Sequence, residues 1–140
     1  MNRDKLHKSL VAHEGFRTLP YIDTTGHISI GVGHNLSAKG LSRSMVWTLL
    51  DQDIADALSE MDHYPWFAGL DDVRQRVMVE MMFNMGPGTF ATFRLLIAAM
   101  AEQRYASAAL EMMHSTWAAQ VGTRATHLAE MMRLGKDPEE

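Results

Sequence analysis

The segment between residues 13 and 34 constrains the fold most strongly, because the hydrophobic pattern around it changes from a helical period to a strand period. Apolar side chains at the spacing of a short amphipathic helix are Leu6, Leu10 and Val11, with Phe16 just past the expected helix end. Gly15 predicts the end of that helix, since glycine adopts left-handed backbone conformations without steric cost. Glu14 should then lie in the last helical turn, where the helix dipole disfavours a negative charge and favours the protonated acid.

A β-hairpin is predicted directly after this helix. A turn begins at Asp23 and ends at Gly26, as the preferences of these two residue types indicate. Residues 27–34 then alternate, which predicts one strand whose apolar face carries Ile28, Ile30 and Val32. Its other face carries Ser29 and two glycines, so a bulky ligand could approach the backbone. We expect Asp23 and Ser29 to face each other across the hairpin.

Two carboxylates on separate short elements are the groups that hydrolysis of a glycosidic bond requires. Glu14 and Asp23 supply them, and a hydroxyl (Ser29) and an imidazole (His34) follow closely in the sequence. Each acid also has an ordinary explanation, Glu14 as a solvated carboxylate and Asp23 as a turn-capping side chain. Residue types and spacing alone leave a hydrolase and a purely structural interpretation both open.

Three segments, taken in order, carry a resemblance to one enzyme family. The first contains Glu14-Gly15, Arg17, Tyr21, Asp23, Thr24, Gly26 and residues 30–36 (IGVGHNL). The second is residues 79–93 (VEMMFNMGPGTFATF), and the third joins residues 116–120 (TWAAQ) to Arg124. They resemble the catalytic hairpin, the buried helix with its following turn, and the Trp-x-x-Gln-x-x-x-Arg segment of phage-type lysozymes, in glycoside hydrolase family 24. The resemblance extends from about residue 6 to residue 134.

The resemblance implies a single lysozyme-like domain with an α+β, mostly α fold. A small β-hairpin lobe (about residues 14–60) would be joined by a long helix to a larger helical lobe. The helical lobe would comprise about residues 61–135 with the N-terminal helix 3–14, and the active-site cleft would lie between the lobes. We expect the tail, residues 136–140, to be disordered.

The activity that the resemblance implies is that of an endolysin that degrades peptidoglycan. Such an inverting muramidase cuts the β-1,4 bond between N-acetylmuramic acid and N-acetylglucosamine. Glu14 matches the general acid, and Asp23 matches the carboxylate that places the attacking water. Ser29 matches the family's catalytic threonine; it keeps the hydroxyl but lacks the β-branch that stiffens χ1.

Four further residues match positions that bind substrate or support the site. His34 matches a supporting histidine near the acidic pair. Arg124 matches an arginine that pairs with the acid residue and would favour its charged form. Asn84 stands where the family has a substrate-facing glutamine, one methylene longer, and Gln120 matches the glutamine of the third segment. The two departures from the family, Ser29 for threonine and Asn84 for glutamine, suggest tuning of the site rather than its loss.

Charge and composition exclude several other functions. The net charge is −4, and no Lys or Arg lies between Arg43 and Arg74, which argues against a nucleic-acid binder. The seven histidines show no metal-ligand spacing and cysteine is absent, so we expect no metal or cofactor and disfavour a zinc amidase. The absence of cysteine also fits a reducing compartment.

No apolar run approaches the ~20 residues that span a bilayer, and the N-terminal segment lacks the apolar core of a signal peptide. We therefore expect no signal peptide and no membrane insertion. By analogy with the family, we expect a monomer that stays in the host cytoplasm until a separate holin releases it to the cell wall.

Downstream of the hairpin the sequence predicts mostly helices. They cover about residues 43–62, 71–85, 90–102, 105–113 and 124–134, with Ser42 as N-cap of the first. The segment Gly86-Pro87-Gly88 should end the second helix. The 12 methionines lie at helical spacing, so we interpret them as core residues rather than as a peptide-binding surface.

Two alternatives of a different class stay open. A lytic transglycosylase would use the muramyl 6-hydroxyl as nucleophile and commonly needs a glutamate alone, so the presence of Asp23 and Ser29 counts against it. A non-catalytic peptidoglycan-binding or virion structural domain could dispense with Glu14 or Asp23, yet this sequence has both.

Overall fold

The computed structural model describes residues 1–138, and the chain divides into two compact units between Leu49 and Leu50. Elements of the first unit are α1 (Arg3–Glu14), β1 (Arg17–Ile22), β2 (Ile28–Gly31), β3 (His34–Asn35) and α2 (Leu36–Lys39). The long helix α3 (Arg43–Met61) begins in this unit and continues past the division. Elements of the second unit are α4 (Asp72–Ala91), α5 (Arg94–Ala101), α6 (Tyr105–Met113), α7 (Thr116–Val121) and α8 (Thr123–Leu134). This mostly helical chain with one small sheet confirms the predicted α+β class.

Helix α1 ends where the sequence predicted. The Asn2 side chain caps its first turn by accepting a hydrogen bond from the Lys5 backbone N–H at 3.0 Å. At the other end Gly15 adopts a φ of +83° and donates its N–H to the Val11 carbonyl at 2.9 Å. Glu14 is therefore the last residue of the helix.

The sheet has the strand order β1-β2-β3, and both pairs are antiparallel. Ser29 occupies the middle of it, opposite Tyr21 of β1 and Asn35 of β3. An irregularity in β1 between Arg17 and Tyr21 contains Pro20, which has no N–H to contribute to the ladder. The first unit thus holds Ser29 between two neighbouring strands.

The prediction of one strand over residues 27–34 is wrong, because Gly31 and Gly33 adopt φ angles of +70° and +66° and form a turn. The burial of these residues also differs from a strand whose apolar face is turned toward the core. Ile28 is 49% exposed, whereas Ser29 is 3% exposed. Within Met1–Leu49, Ser29 is the only buried residue.

The helices that follow the hairpin largely agree with the prediction. Helix α3 is capped by Ser42, whose hydroxyl accepts from the Met45 N–H at 3.3 Å, and α6 has the predicted bounds. Gly86 interrupts α4 with a φ of +80°, as expected, but helical structure resumes and α4 ends only at Ala91. Helix α5 accordingly begins at Arg94 rather than near residue 90, and the short helices α2 and α7 were not predicted.

The apolar core belongs to the second unit. Its buried apolar residues all lie between Ala57 and Met132, and helix α6 packs against α5, α7 and α8. Seven of the 12 methionines are buried in it, namely Met61, Met78, Met81, Met82, Met100, Met112 and Met132. The interpretation of the methionines as core residues is confirmed for these seven, whereas Met1, Met45 and Met113 are exposed.

Arg74 joins the start of α4 to the end of α8. Its Nε donates to the Met132 carbonyl at 2.7 Å, and its Nη2 donates to the Arg133 carbonyl at 3.0 Å. The remaining nitrogen, Nη1, donates to Asp71 at 2.9 Å, and the guanidinium lies 3.9 Å from the ring centre of Tyr105. One side chain therefore satisfies two carbonyls that the end of α8 leaves open.

One residue of the predicted tail, Asp137, makes side-chain hydrogen bonds to helix α4. Arg76 donates two hydrogen bonds to the Asp137 carboxylate, at 2.9 and 2.8 Å, and the expected disorder of the tail stays a prediction. The part of that prediction covering residues 139 and 140 lies outside the described residues. Over residues 1–138, no helix combines the length and apolar character needed to cross a membrane.

Candidate active site

The carboxylate of Glu14 lies over the backbone of Gly33. A β-carbon built on Gly33 would stand 2.8 Å from Glu14 Oε2 and 3.3 Å from Cδ, so any side chain at Gly33 would force the Glu14 carboxylate to move. The end of α1 and the turn between β2 and β3 therefore meet at this carboxylate. Within the first unit, the Glu14 side chain is exposed and accepts no hydrogen bond. It is open to a ligand.

Asp23 is fixed through one of its two carboxylate oxygens. Its Oδ1 accepts hydrogen bonds from the Thr25 N–H at 2.9 Å, the Thr25 hydroxyl at 2.7 Å and the His27 N–H at 2.9 Å. The pKa of Asp23 is lowered, mainly by the Thr25 hydroxyl and then by the His27 N–H. Oδ2 accepts no hydrogen bond within the first unit, so an ionised and oriented oxygen remains available.

The pairing of Asp23 differs from the expectation. The Asp23 N–H donates to the His27 carbonyl at 2.8 Å, so the residue facing Asp23 across the hairpin is His27. Ser29 lies further along β2, opposite Tyr21. Since residues two apart in a strand share a face, Ser29 and His27 point to the same side of the sheet. The hydroxyl of Ser29 makes no hydrogen bond within the first unit, and the residue is 3% exposed.

His34 fixes the far edge of the sheet. Its Nε2 lies 2.6 Å from the Gly40 carbonyl oxygen, and because a carbonyl only accepts, Nε2 carries the hydrogen. His34 pairs with Ile30 in the β2–β3 ladder. Its imidazole thus connects β3 to the segment after α2, which agrees with a supporting role.

Two predicted residues of the second unit line the same pocket. Asn84 and Gln120 border a surface pocket of about 930 Å³. Other residues that line it are Thr89, Thr92, Arg94, Glu111, His114 and Trp117. The Asn84 carboxamide oxygen accepts a hydrogen bond from the Trp117 indole N–H at 2.8 Å, and this fixes the orientation of both side chains.

Arg124 lies apart from that pocket. Its Nη2 pairs with Glu80 Oε1 at 3.2 Å, on a helix of the same unit. The pairing of Arg124 with Glu14 that the resemblance implied would join two residues of different units, and it stays a prediction. Sequence reasoning did not identify Glu80 as a partner, since an acid on the face of a long helix gives no specific signal.

Sequence reasoning also missed Thr25 and His27. Both contact Asp23, and the Thr25 hydroxyl lies 2.7 Å from His27 Nδ1. A signal was present, because Thr and His stand two and four residues after an Asp that begins a turn. The described residues, 1–138, gather no three His, Cys, Asp or Glu side chains that could hold a metal ion.

Comparison with known proteins agrees with the resemblance. The sequence profile described as phage lysozyme matches residues 11–132, a range that contains all seven predicted site residues. The chain is also 24% identical to two proteins of Dictyostelium discoideum, probable T4-type lysozyme 1 and probable T4-type lysozyme 2. Each alignment covers 87% of this chain and 89% of the relative. The chain therefore belongs to the phage lysozyme family, a family of peptidoglycan hydrolases.

Proposed function

We propose that this chain is a muramidase that hydrolyses the β-1,4 bond between N-acetylmuramic acid and N-acetylglucosamine. The observation that carries the proposal is the contrast between its two carboxyl groups. Asp23 is held as a carboxylate by hydrogen bonds to Oδ1, whereas Glu14 accepts none within the first unit. Glycosidases divide their work between one carboxyl group that gives a proton and one that stays ionised.

In the proposed reaction Glu14 is the general acid. Its proton passes to the bridging oxygen as the bond to the anomeric carbon of the muramic acid breaks. A water attacks that carbon from the opposite face, and Asp23 Oδ2 accepts a proton from it. Ser29 helps to place the water through its hydroxyl. The muramic acid product then carries an α configuration, which is inversion.

The pocket bordered by Asn84 and Gln120 is proposed to bind the sugar or peptide groups of the substrate. Its lining combines amides, hydroxyls and an indole, which are groups that bind sugars and peptides through hydrogen bonds and stacking. Asn84 is already engaged with Trp117, so its free N–H bonds are the ones available to substrate. Arg124 is proposed to balance the negative charge that Glu14 carries after it has given up its proton.

The test is digestion of purified sacculi with mass analysis of the soluble products. Glu14→Gln removes the acid while keeping the shape of the side chain, and we expect it to abolish release of muropeptides. The matched control is Glu102→Gln, since Glu102 is an exposed glutamate whose partner is Arg104 at 2.7 Å. The control should digest sacculi at the rate of the native chain.

The products distinguish the remaining alternatives. Reducing muramic acid ends that carry oxygen from labelled water would establish hydrolysis, and an initial α anomer would establish inversion. Anhydromuramic ends would show a lytic transglycosylase instead. Binding to sacculi without any release of product by the native chain would contradict the proposal and indicate a wall-binding domain.

A further inference from the structure

The contacts of Asp23 exceed those of an ordinary turn. An aspartate that begins a turn commonly accepts hydrogen bonds from backbone N–H groups just after it, as Asp23 does from Thr25 and His27. Here two side chains join this arrangement. The Thr25 hydroxyl donates to Asp23 Oδ1 at 2.7 Å and lies 2.7 Å from His27 Nδ1.

The number of available hydrogens fixes the direction of this chain of contacts. A hydroxyl has one hydrogen, and that of Thr25 is used in the bond to the carboxylate, which only accepts. The contact between Thr25 and His27 must then be a donation from Nδ1–H to the hydroxyl oxygen. Donation to Thr25 makes its hydroxyl a better donor toward Asp23, because hydrogen bonds in a chain polarise one another.

We infer that Thr25 and His27 are positioning residues of the active site: His27 orients the Thr25 hydroxyl, which holds Asp23 Oδ1 and leaves Oδ2 for the water. The inference rests on the proposed function, because it assigns Asp23 the role of handling that water. Neither residue touches the substrate in this scheme. Both act through the orientation and ionisation of Asp23.

We call the chain of hydrogen bonds from His27 through Thr25 to Asp23 the relay. A change in the charge of His27 does not break it. Nδ1 carries a hydrogen in the neutral tautomer that donates to Thr25, and it also carries one in the imidazolium. The donation to Thr25 therefore persists at acid pH. Protonation adds a positive charge near Asp23, which further favours the carboxylate. Other ionisable side chains on the elements packed against β2, namely β1, β3 and α2, are Arg17, Tyr21, His34 and Lys39. Of these, Arg17 stacks on Tyr21 and His34 binds the Gly40 carbonyl, so neither competes for the Thr25 hydroxyl.

The experiment measures kcat against pH on soluble peptidoglycan fragments for Thr25→Val and Thr25→Ser. Valine keeps the shape of threonine but removes the hydroxyl, so we expect kcat to fall roughly tenfold, with little change in KM. The acid limb of the profile should move to higher pH, since the largest influence that lowers the pKa of Asp23 is lost. Serine should restore both kcat and the limb. Thr24→Val is the control, because the Thr24 side chain makes no hydrogen bond within the first unit.

His27 is tested in the same way with two variants. Asparagine can place an N–H near the position of Nδ1, whereas phenylalanine cannot, so His27→Phe should lower kcat and His27→Asn should restore most of it. In the Asp23→Asn background, Thr25→Val should have no further effect on kcat, because the relay then has no carboxylate to hold.

Three results would overturn the inference. The first is an unchanged kcat and acid limb for Thr25→Val in an active enzyme. The second is a loss in Thr25→Val that Thr25→Ser does not restore, which would indicate a packing defect. The third is an inactive native chain, which refutes the proposed function itself. A carbon-13 titration of the Asp23 carboxyl group, native against Thr25→Val, would then show whether the relay still controls its ionisation as a purely structural contact.

Discussion

Glu14 Oε2 lies 2.8 Å from the position that a β-carbon on Gly33 would take, which is closer than the two atoms can approach. This contact joins the last residue of α1 to the turn between β2 and β3. Because the contacting atom is the end of a flexible side chain, a substitution at Gly33 would displace the carboxylate and leave the surrounding backbone in place. Gly33 therefore sets the position of the proposed general acid.

Gly33→Ala should lower turnover of peptidoglycan by roughly tenfold or more, since small displacements of a catalytic group carry large costs in rate. Gly31→Ala is the matched control. Its φ of +70° is close to the +66° of Gly33, so both alanines share a backbone strain of about 1 kcal/mol, but nothing lies within 4 Å of a β-carbon there. Activity is to be compared per folded molecule. Equal losses in the two variants would contradict the role assigned to the contact.

Ser29→Ala should reduce activity without reducing stability. The hydroxyl makes no hydrogen bond within the first unit, so its removal from this buried position leaves no partner unsatisfied and should change the free energy of unfolding by less than about 1 kcal/mol. Turnover should fall by roughly tenfold or more, as expected for a group that places the attacking water.

Ser37→Ala serves as the control for Ser29→Ala, because it should reduce stability without reducing activity. The Ser37 hydroxyl accepts the Ile28 N–H at 2.8 Å, so its loss should cost about 1 kcal/mol of stability. Activity per folded molecule should remain at the native level. Urea unfolding and product release measured on both variants check the pair, and a large loss of stability in Ser29→Ala would contradict the assignment.

Arg74→Met should destabilise the second unit by about 2 to 3 kcal/mol, because two carbonyls at the end of α8 lose a charged donor. The Arg74 side chain is 15% exposed, so water replaces it poorly. Arg76→Met is the control: Arg76 is 47% exposed in its ion pairs, and its loss should cost less than about 1 kcal/mol. Equal midpoints for the two variants in urea would refute this account of Arg74.

Asp71 should contribute stability that depends on pH. Burial raises the pKa of Asp71, but hydrogen bonds from the N–H and guanidinium of Arg74 outweigh burial and bring it below the ordinary 3.8. A carboxyl group with a lowered folded pKa stabilises the fold above its unfolded pKa, and this contribution is lost as pH falls through the folded pKa.

Asp71→Asn should therefore cost about 0.5 kcal/mol near neutral pH, after allowance for solvent screening, because asparagine can still cap α4. The difference from the native chain should shrink once the pH falls below 3.8. Asp62→Asn, at an exposed aspartate, is the control for replacing a carboxylate by an amide and should unfold like the native chain at neutral pH. Unfolding curves across this pH range check the prediction, and a constant difference would contradict it.

The elements that the sequence predicted well are those with a local cause. Gly15 and Ser42 mark the end of α1 and the start of α3 through backbone preferences and a capping hydroxyl, and both boundaries were right. The turn at Gly31 and Gly33 was missed because alternation of residue types continues through it. Only the positive φ angles of the two glycines show that the strand stops there.

The choice of candidate site residues came from the resemblance, whereas their contacts could not be read from it. Asp23 was expected to face Ser29, but the register of the hairpin places His27 opposite it. Register depends on the length of the turn, and a shift by two residues leaves the pattern of faces unchanged. For that reason alternation could not distinguish the two pairings, and the relay through Thr25 went unnoticed.

Oxidation of the two adjacent methionines of α6 can report on opening of the second unit. Met112 is fully buried, whereas its neighbour Met113 is 39% exposed. Peroxide converts a thioether to a sulfoxide only where it can reach the sulfur. Oxidation of Met113 should therefore proceed in the native state, while oxidation of Met112 requires opening of the second unit. The ratio of the two sulfoxides in one peptide would measure how often that opening occurs.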